Sequence, residues 1–111
     1  MANSQHLDIL KSGVQTWNAW RNDEPNLLPD LTGADVSLMD LQLVDFTDTD
    51  LSGANLTGSD LTNADLTNAN LTGANLTDTE LVSATLINVN FDRATLTGAN
   101  LRYTIREYPE P

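Results

Sequence analysis

The sequence predicts a solenoid, in which the chain winds around an apolar lumen, and three observations support this fold. Every fifth residue from Leu31 to Leu101 is apolar, without an exception in fifteen positions. The residue two places before this central position is alanine in eight repeats and mostly small in the others. The residue two places after it, the turn position, is Gly, Asn or Asp in ten repeats. These residue types tolerate the left-handed backbone geometry of tight turns.

A period of five residues fits neither an α-helix nor a flat strand. On an α-helix five residues advance by about 500°, so the apolar side chains would spiral around the axis. On a flat strand successive apolar side chains would point to opposite faces, because five is odd and the side-chain period is two. A single face can bury all of them only if the backbone turns once per repeat. The repeat therefore predicts an apolar lumen and a polar outer surface.

The repeat A-[DN]-L-[ST]-G resembles the pentapeptide repeat family over residues 29–103. Asp or Asn stands just before the central position in twelve repeats (the Asx position), and Ser or Thr just after it in ten (the hydroxyl position). The resemblance implies an all-β solenoid, a right-handed quadrilateral β-helix in which four repeats form one coil, so that fifteen repeats make about four coils. The central residue and the residue two before it, the inner position, would face the lumen. Residues 13–21 also resemble a leader that precedes the repeats in many cyanobacterial members.

The residues before the repeats predict an N-terminal α-helical cap over the first coil, since an open coil exposes its lumen and its strand edges. Ser4 is the expected N-cap, and Asp23, Glu24 and Pro25 are expected to end the helix. The apolar stripe expected to pack on the first coil consists of Leu7, Leu10, Val14, Trp17 and Trp20.

The other end of the repeats is expected to be covered by the residues that follow them. The apolar residues available for this are Tyr103, Ile105 and Tyr108, and Arg106 stands where the next central residue would be. The predicted organisation is a helical cap over residues 1–28, the β-helix over 29–103 and a C-terminal tail over 104–111.

The charge balance is strongly acidic, with sixteen acidic and five basic residues and a net charge of -11. This balance argues against direct binding to nucleic acid or to an anionic membrane. Residues 30–101 contain eleven acidic residues and a single basic residue, Arg93. Over a height of about 18 Å this approaches the charge density of DNA, one charge per about 1.7 Å. The favoured interpretation is that aspartate serves the turns and keeps the solenoid soluble.

Residues twenty apart lie above one another in such a coil, so some of the acidic residues form a column. The column consists of Asp40, Asp60 and Glu80, with Asp78 beside its third member. Stacked carboxylates are a ligand type that calcium accepts, but the column lacks the alternating ligands of calcium loops. A solvated surface is the favoured interpretation, and no metal site is predicted.

Four outward positions carry aliphatic side chains where the repeat calls for polar ones. Leu38 and Leu43 lie in the first coil, where the helical cap is expected to cover them. Val82 and Ile87 lie on adjacent sides of the third coil, far from that cap, and are the candidate partner contact. The alternative interpretation is that β-branched residues simply suit a strand.

Catalytic chemistry has little support in this composition. The chain has no cysteine, which excludes disulfides, thiolate metal sites and cysteine nucleophiles. The one histidine, His6, is expected to be solvated, and the Ser and Thr residues have no base to activate them. No catalytic residue and no cofactor is predicted. The apolar runs are too short for a membrane span and no secretory signal is evident, so the expected location is the cytoplasm.

The sequence as a whole predicts a non-enzymatic protein that presents a rigid acidic surface to another protein, whose identity the residues leave open. A homodimer is also left open. The alternative, which the family resemblance implies, is an inhibitor that mimics DNA and occupies a DNA-binding enzyme such as gyrase. The family's DNA-mimicking rods have about twice as many repeats and pair end to end, so this chain departs from them in size.

Overall fold

Parallel backbone bridges define the winding of the chain in the computed structural model, which describes residues 1–106. Each bridge joins a residue to the one twenty places later, from Asp30 with Asp50 to Thr85 with Ile105. One coil therefore takes twenty residues, and one bend in every five residues gives it four sides. We name each side after its Asx residue in the first coil: the Asp30, Asp35, Asp40 and Asp45 sides. The period and the number of repeats per coil expected from the sequence are confirmed.

The bends arise from one left-handed residue per repeat. In all fifteen repeats the turn position has a positive φ, between 56° and 74°. Ten of these fifteen residues are not glycine, so the conformation belongs to the position rather than to the residue type. In thirteen of the fifteen repeats, the amide of the next inner residue closes the bend on the central carbonyl, as in Ala54 N–H to Leu51 C=O at 3.0 Å. The prediction of left-handed geometry at this position is confirmed.

Successive coils are joined by a regular parallel ladder of hydrogen bonds. The central amide donates to the Asx carbonyl of the next coil, as in Leu51 N–H to Asn70 C=O at 2.8 Å. The Asx amide donates back to the inner carbonyl of the coil before, as in Asn70 N–H to Thr49 C=O at 3.0 Å. The amide and the carbonyl of each Asx residue after the first coil are therefore both bonded to the coil before it, so coils inside the stack have no unpaired strand edge.

The lumen is packed with the central side chains, which are buried from Leu31 to Leu86. Seven inner positions add a buried alanine or valine, but Thr49, Ser59 and Thr79 place hydroxyls there. Ser59 Oγ donates to Val36 C=O at 2.6 Å and accepts from Met39 N–H at 3.0 Å. In the neighbouring bends the inner amide donates directly to the central carbonyl. In this bend the Ser59 hydroxyl lies between the two groups and bonds to both.

Two helices, rather than the single predicted helix, precede the coils: α1 over Ser4–Lys11 and α2 over Val14–Asp23, together called the helical segment. Asn3, not Ser4, is the N-cap, and its Oδ1 accepts from the amides of Gln5 and His6 at 2.9 and 3.1 Å. The break falls at Gly13, whose φ of 114° strongly favours glycine and ends α1. The expected end of the helix at Asp23 is confirmed. Neither helix within residues 1–106 has the length and apolar character needed to cross a membrane.

At the Asp30 side, the helical segment takes the place of a preceding coil. Asp30 N–H donates to His6 Nδ1 at 3.0 Å, and Asp30 C=O accepts from Asn3 N–H at 3.1 Å. The imidazole is half-buried, and its ring centroid lies 4.9 Å from that of Trp20. The expectation of a solvated His6 is therefore wrong, because this ring supplies the acceptor that an exposed strand edge needs.

At the Asp45 side, three side chains of α2 do the same. Trp17 Nε1 and Arg21 Nη1 donate to Asp45 C=O at 2.7 and 3.0 Å, and Asn18 Oδ1 accepts from Asp45 N–H at 2.8 Å. Arg21 is itself buried, and its guanidinium lies 3.5 Å from the Asp45 carboxylate. Four side chains and the Asn3 amide thus close the edge of the first coil on two of its four sides.

The predicted apolar stripe of the helical segment faces the lumen. Leu10 and Trp17 are fully buried, and Trp17 meets the Phe46 ring edge-on with centroids 5.7 Å apart. The other members of the stripe are half-buried against the same core: Leu7, Val14 and Trp20.

The last coil lies at the other end, where the central side chains Phe91, Leu96 and Leu101 are only half-buried. Together with Leu86 and Arg106 they line a depression of about 290 Å³. The expectation that Tyr103 and Ile105 cover this end is wrong: they are 80% and 53% exposed. They occupy a turn and an Asx position, and both positions project outward. Tyr108 lies outside the described residues.

Replacing Ser59 with alanine should destabilise the fold, although alanine is the commonest inner residue. The change removes the hydroxyl that serves the half-buried Met39 amide and the buried Val36 carbonyl, so S59A should lower the free energy of unfolding by about 1–3 kcal/mol in urea denaturation. Thr79→Val is the control. Thr79 Oγ1 bonds only to Leu56 C=O, and the direct bond of that bend, Ser59 N–H to Leu56 C=O at 3.0 Å, remains. A loss in S59A no larger than in T79V would contradict the bridging role.

Acidification should loosen the attachment of the helical segment through His6. Burial lowers the pKa of His6 below its ordinary 6.5, against a smaller upward pull from Asp30. The folded chain therefore resists the proton that the unfolded chain accepts, so stability falls as pH drops below 6.5 towards the lowered pKa. Hydrogen bonds from Thr32 and Ser37 lower the pKa values of Asp30 and Asp35 below 3.8, so these two carboxylates change the stability of the fold only below that pH. Thermal unfolding measured from above pH 6.5 to below it, well clear of the range where the aspartates titrate, reports the contribution of His6 to stability.

The control variant for that experiment is His6→Asn, which keeps an acceptor for Asp30 N–H and does not titrate. H6N should flatten the pH dependence between about pH 7 and pH 5. An unchanged slope in H6N would mean that another group causes the effect.

Candidate functional site

The outward Asx side chains have a structural role that does not require charge. Asp65 Oδ1 accepts from the amide and the hydroxyl of Thr67 at 3.0 and 2.7 Å. Asn75 Oδ1 accepts from the same two groups of Thr77 at 3.0 and 2.6 Å. Aspartate and asparagine therefore make the same pair of bonds, so the turn needs an acceptor oxygen and not an ionised group.

Charge is nevertheless distributed unevenly along the axis. Seven of the eight Asx positions in the first two coils are aspartate, and none in the last two coils is. Residues 30–69 contain eight acidic and no basic residues, whereas residues 70–106 contain three of each. Since the turn accepts asparagine equally well, this concentration of negative charge in the first two coils is a property separate from folding.

The acidic column predicted from the repeat lies on the Asp40 side. Asp40 pairs with Asp60, and Asp60 with Glu80, through the parallel bridges between coils. Asn100 continues the column and donates from Nδ2 to Glu80 Oε1 at 3.1 Å. Asp78 is exposed at the corner just before Glu80. In residues 1–106 no group of three or more His, Asp or Glu side chains is arranged to hold a metal ion.

The candidate contact residues Val82 and Ile87 are both half-buried. They occupy hydroxyl positions of the third coil, on the Asp40 and Asp45 sides, where the second coil has Thr62 and Thr67. Their role as a partner contact stays a prediction.

Leu38 and Leu43 are 82% and 65% exposed, so the prediction that the helical segment covers them is wrong. The helical segment lies on the end of the lumen and bonds to the first-coil backbone, and it does not extend down the outer walls. Leu43 shows this directly, because its carbonyl accepts from Asn18 Nδ2 at 3.0 Å while its side chain faces outward.

Both leucines also occupy the left-handed turn position, with φ of 56° and 67°. This geometry costs a non-glycine residue about 1–2 kcal/mol, and a bulky apolar side chain offers no local hydrogen bond in return. The side chain of Leu38 lies against Gly58, where a Cβ would come within 2.7 Å of Leu38 Cδ2. The sequence shows both residues as departures from the repeat, and their turn position is the signal that could have placed them outside.

The carboxylate of Asp40 differs from its neighbours because residue 42 is glutamine. Asp40 Oδ1 accepts from Gln42 N–H at 3.2 Å. The other Asx residues of the first two coils are followed by Ser or Thr, whose hydroxyl adds a second bond at 2.6–2.7 Å. Residues 38–43 thus combine two exposed leucines with the carboxylate of these coils that is least engaged in its own turn.

The family model for pentapeptide repeats matches residues 30–63, 40–78 and 64–102 of the chain, in eight copies. Among solved structures, the chain is 37% identical to HetL from Nostoc sp. strain PCC 7120, described as a pentapeptide repeat protein involved in heterocyst differentiation regulation. That match covers 67% of this chain and 35% of HetL, with a TM-score of 0.64.

Two further structures are similar. A pentapeptide repeat protein from the thylakoid lumen of Arabidopsis thaliana is 35% identical over 71% of this chain and 55% of its own, with a TM-score of 0.69. Rfr23 from Cyanothece 51142 is 34% identical over 68% and 55%, with a TM-score of 0.57. The chain thus spans between about a third and just over half of these proteins. No curated protein matches the chain. These similarities imply that the four-sided solenoid is a right-handed quadrilateral β-helix.

Exchanging the Asx residue types tests whether charge matters to the turn. Asp65→Asn and Asn75→Asp should each change the free energy of unfolding by less than about 0.5 kcal/mol, because both bonds to the following threonine remain. Asp65→Ala removes the acceptor and should cost about 1 kcal/mol. Urea denaturation at neutral pH measures all three. If D65N lost as much stability as D65A, the carboxylate charge would be part of the fold.

Proposed function

The chain belongs to the pentapeptide repeat family, and we propose that it is a rigid acidic module that binds another protein and performs no chemistry of its own. Pentapeptide repeat proteins are generally non-enzymatic structural repeat proteins. The participation of HetL in the regulation of differentiation is compatible with a role based on contact, and the sources of HetL and Rfr23 suggest a cyanobacterial origin.

Charge that the fold does not require is the observation that carries the proposal. Asparagine fulfils the Asx role in five repeats, yet the first two coils use aspartate at seven of eight such positions. The resulting surface is held on a ladder of backbone bonds of 2.7–3.1 Å between coils, so its charges keep fixed spacings. A fixed charge pattern gives specificity and steers a complementary partner towards the site.

The alternative of a DNA mimic draws on the same acidity but expects it along the whole rod. Residues 70–106 balance three acidic residues with Arg93, Arg102 and Arg106, so the negative charge is concentrated in the first two coils and is not spread evenly along the rod. This distribution favours a local protein contact over imitation of a uniformly charged duplex. Inhibition of gyrase therefore stands as the alternative to be tested.

We also propose that residues 1–28 act as the cap of a β-helix spanning 29–103, with 104–111 as its tail. The hydrogen bonds at Asp30 and Asp45 support this division, since they replace those of a preceding coil. A cytoplasmic location stays a prediction.

The proposal is tested by removing charge without touching the turns. The variant replaces Asp35, Asp40, Asp50, Asp60 and Asp65 by asparagine and leaves Asp30 and Asp45, which contact the helical segment. With the unaltered chain as bait in a cyanobacterial extract, we expect a protein whose recovery falls at least about tenfold with the variant. Binding of that protein, once purified, is then measured by calorimetry, with thermal unfolding as the check that the variant is folded.

Equal recovery of every protein by both baits would overturn the proposal. A gyrase supercoiling assay at low and moderate salt addresses the alternative: we expect no inhibition. Inhibition that weakens steeply as salt rises, and disappears with the asparagine variant, would instead favour DNA mimicry.

A further inference from the structure

The helical segment leaves part of the first coil uncovered. It pairs with the backbone at Asp30 and Asp45, whereas within residues 1–106 the amide and carbonyl of Asp35 and Asp40 have no hydrogen-bond partner. An open depression of about 570 Å³ lies between the helix junction at residues 12–16 and the side chains of Asp40 and Gln42. Two adjacent sides of the first coil thus keep an open strand edge beside a concave surface.

The exposed leucines lie on this uncovered part. Leu38 forms the corner between the Asp35 and Asp40 sides, and Leu43 forms the next corner. Both are exposed and hold a backbone geometry that glycine or asparagine would adopt more easily. The turn gains nothing from an apolar side chain at these positions, so burial against another molecule is the role that two exposed leucines in one coil would serve.

The charges around the leucines are negative. Asp35 and Asp40 are exposed in the same coil, and Asp60 lies directly below Asp40. Lys11 at the end of α1 is the helical-segment cation that attracts Asp35, and residues 30–69 contain no basic residue. A partner that covers the leucines must therefore bring positive charge with it.

We propose that residues 35–43, the first-coil ledge, dock a cationic amphipathic segment of another protein. Apolar side chains of that segment pack on Leu38 and Leu43, and its lysine or arginine side chains meet Asp40 and Asp60. The open edge at Asp35 and Asp40 offers main-chain donors and acceptors to an extended segment. This inference rests on the proposed interaction role and specifies the face and the class of partner.

The test uses the full chain and three short labelled peptides, which alternate lysine with leucine, lysine with serine, and glutamate with leucine. Fluorescence anisotropy should show binding of the lysine–leucine peptide, with at least about tenfold weaker binding of the other two. The double variant Leu38→Gly with Leu43→Asn should weaken the lysine–leucine peptide at least about tenfold. Because both changes relieve left-handed strain, its melting temperature should not fall, which separates lost binding from lost structure.

Charge is tested with a matched pair of variants. Asp40→Asn with Asp60→Asn should weaken binding several-fold, whereas Asp50→Asn with Asp65→Asn removes the same charge from other sides and should leave binding within about twofold. Equal effects of the two pairs of variants would show that the peptide binds by general electrostatic attraction, which would overturn the assignment of binding to the first-coil ledge. Unchanged binding in the leucine variant would overturn it as well.

Two other outcomes also overturn the inference. Absence of binding by all three peptides would exclude this class of partner, while the extract experiment could still support an interaction role elsewhere on the surface. A concentration-dependent mass in light scattering that the leucine variant abolishes would identify a second copy of the chain as the occupant.

Discussion

The left-handed residue in every repeat is the constraint on which the structure depends. It turns the backbone once in five residues, so the central and inner side chains face the lumen while the Asx, hydroxyl and turn side chains face outward. Only five of the fifteen turn residues are glycine, and the others hold positive φ because the bonds between coils fix the backbone on both sides of them. Residue type at this position is therefore free to vary where strain is tolerated, as it is at Leu38, Arg93 and Tyr103.

The repeats could be predicted from sequence because their physics is periodic. An apolar side chain at every fifth residue can be buried only by a chain that bends at every fifth residue, and Asn63 or Gly73 indicates where the bend falls. The ends could not be predicted in the same way. Asn18 bonds to the carbonyl of Leu43 across twenty-five residues, and no spacing announces such a contact. The spacing of Leu10 and Val14 runs through the break at Gly13, so one helix was expected. The position of the helical segment then decided the surroundings of His6 and of the two exposed leucines.

The two ends of the solenoid differ chemically as a consequence. At the first coil, Trp17, Asn18 and Arg21 supply donors and acceptors that a preceding coil would have supplied. At the last coil, half-buried central side chains border a depression beside Arg106. Negative charge is concentrated next to the end that carries the helical segment and is balanced near the other end, so the charge distribution is asymmetric along the axis. The first-coil ledge lies at the negative end of the solenoid, on the two sides of the first coil that the helices leave unpaired.

The interchange of aspartate and asparagine at the Asx position has a consequence for how such proteins diverge. The codons of these two amino acids differ by one base, and the exchange keeps the shape of the side chain and the acceptor oxygen that the turn uses. A single mutation can therefore add or remove one unit of charge at a chosen coil and side without disturbing the lumen. Lineages built on this repeat can explore new electrostatic patterns by nearly neutral steps, and recognition can change while the scaffold is inherited intact.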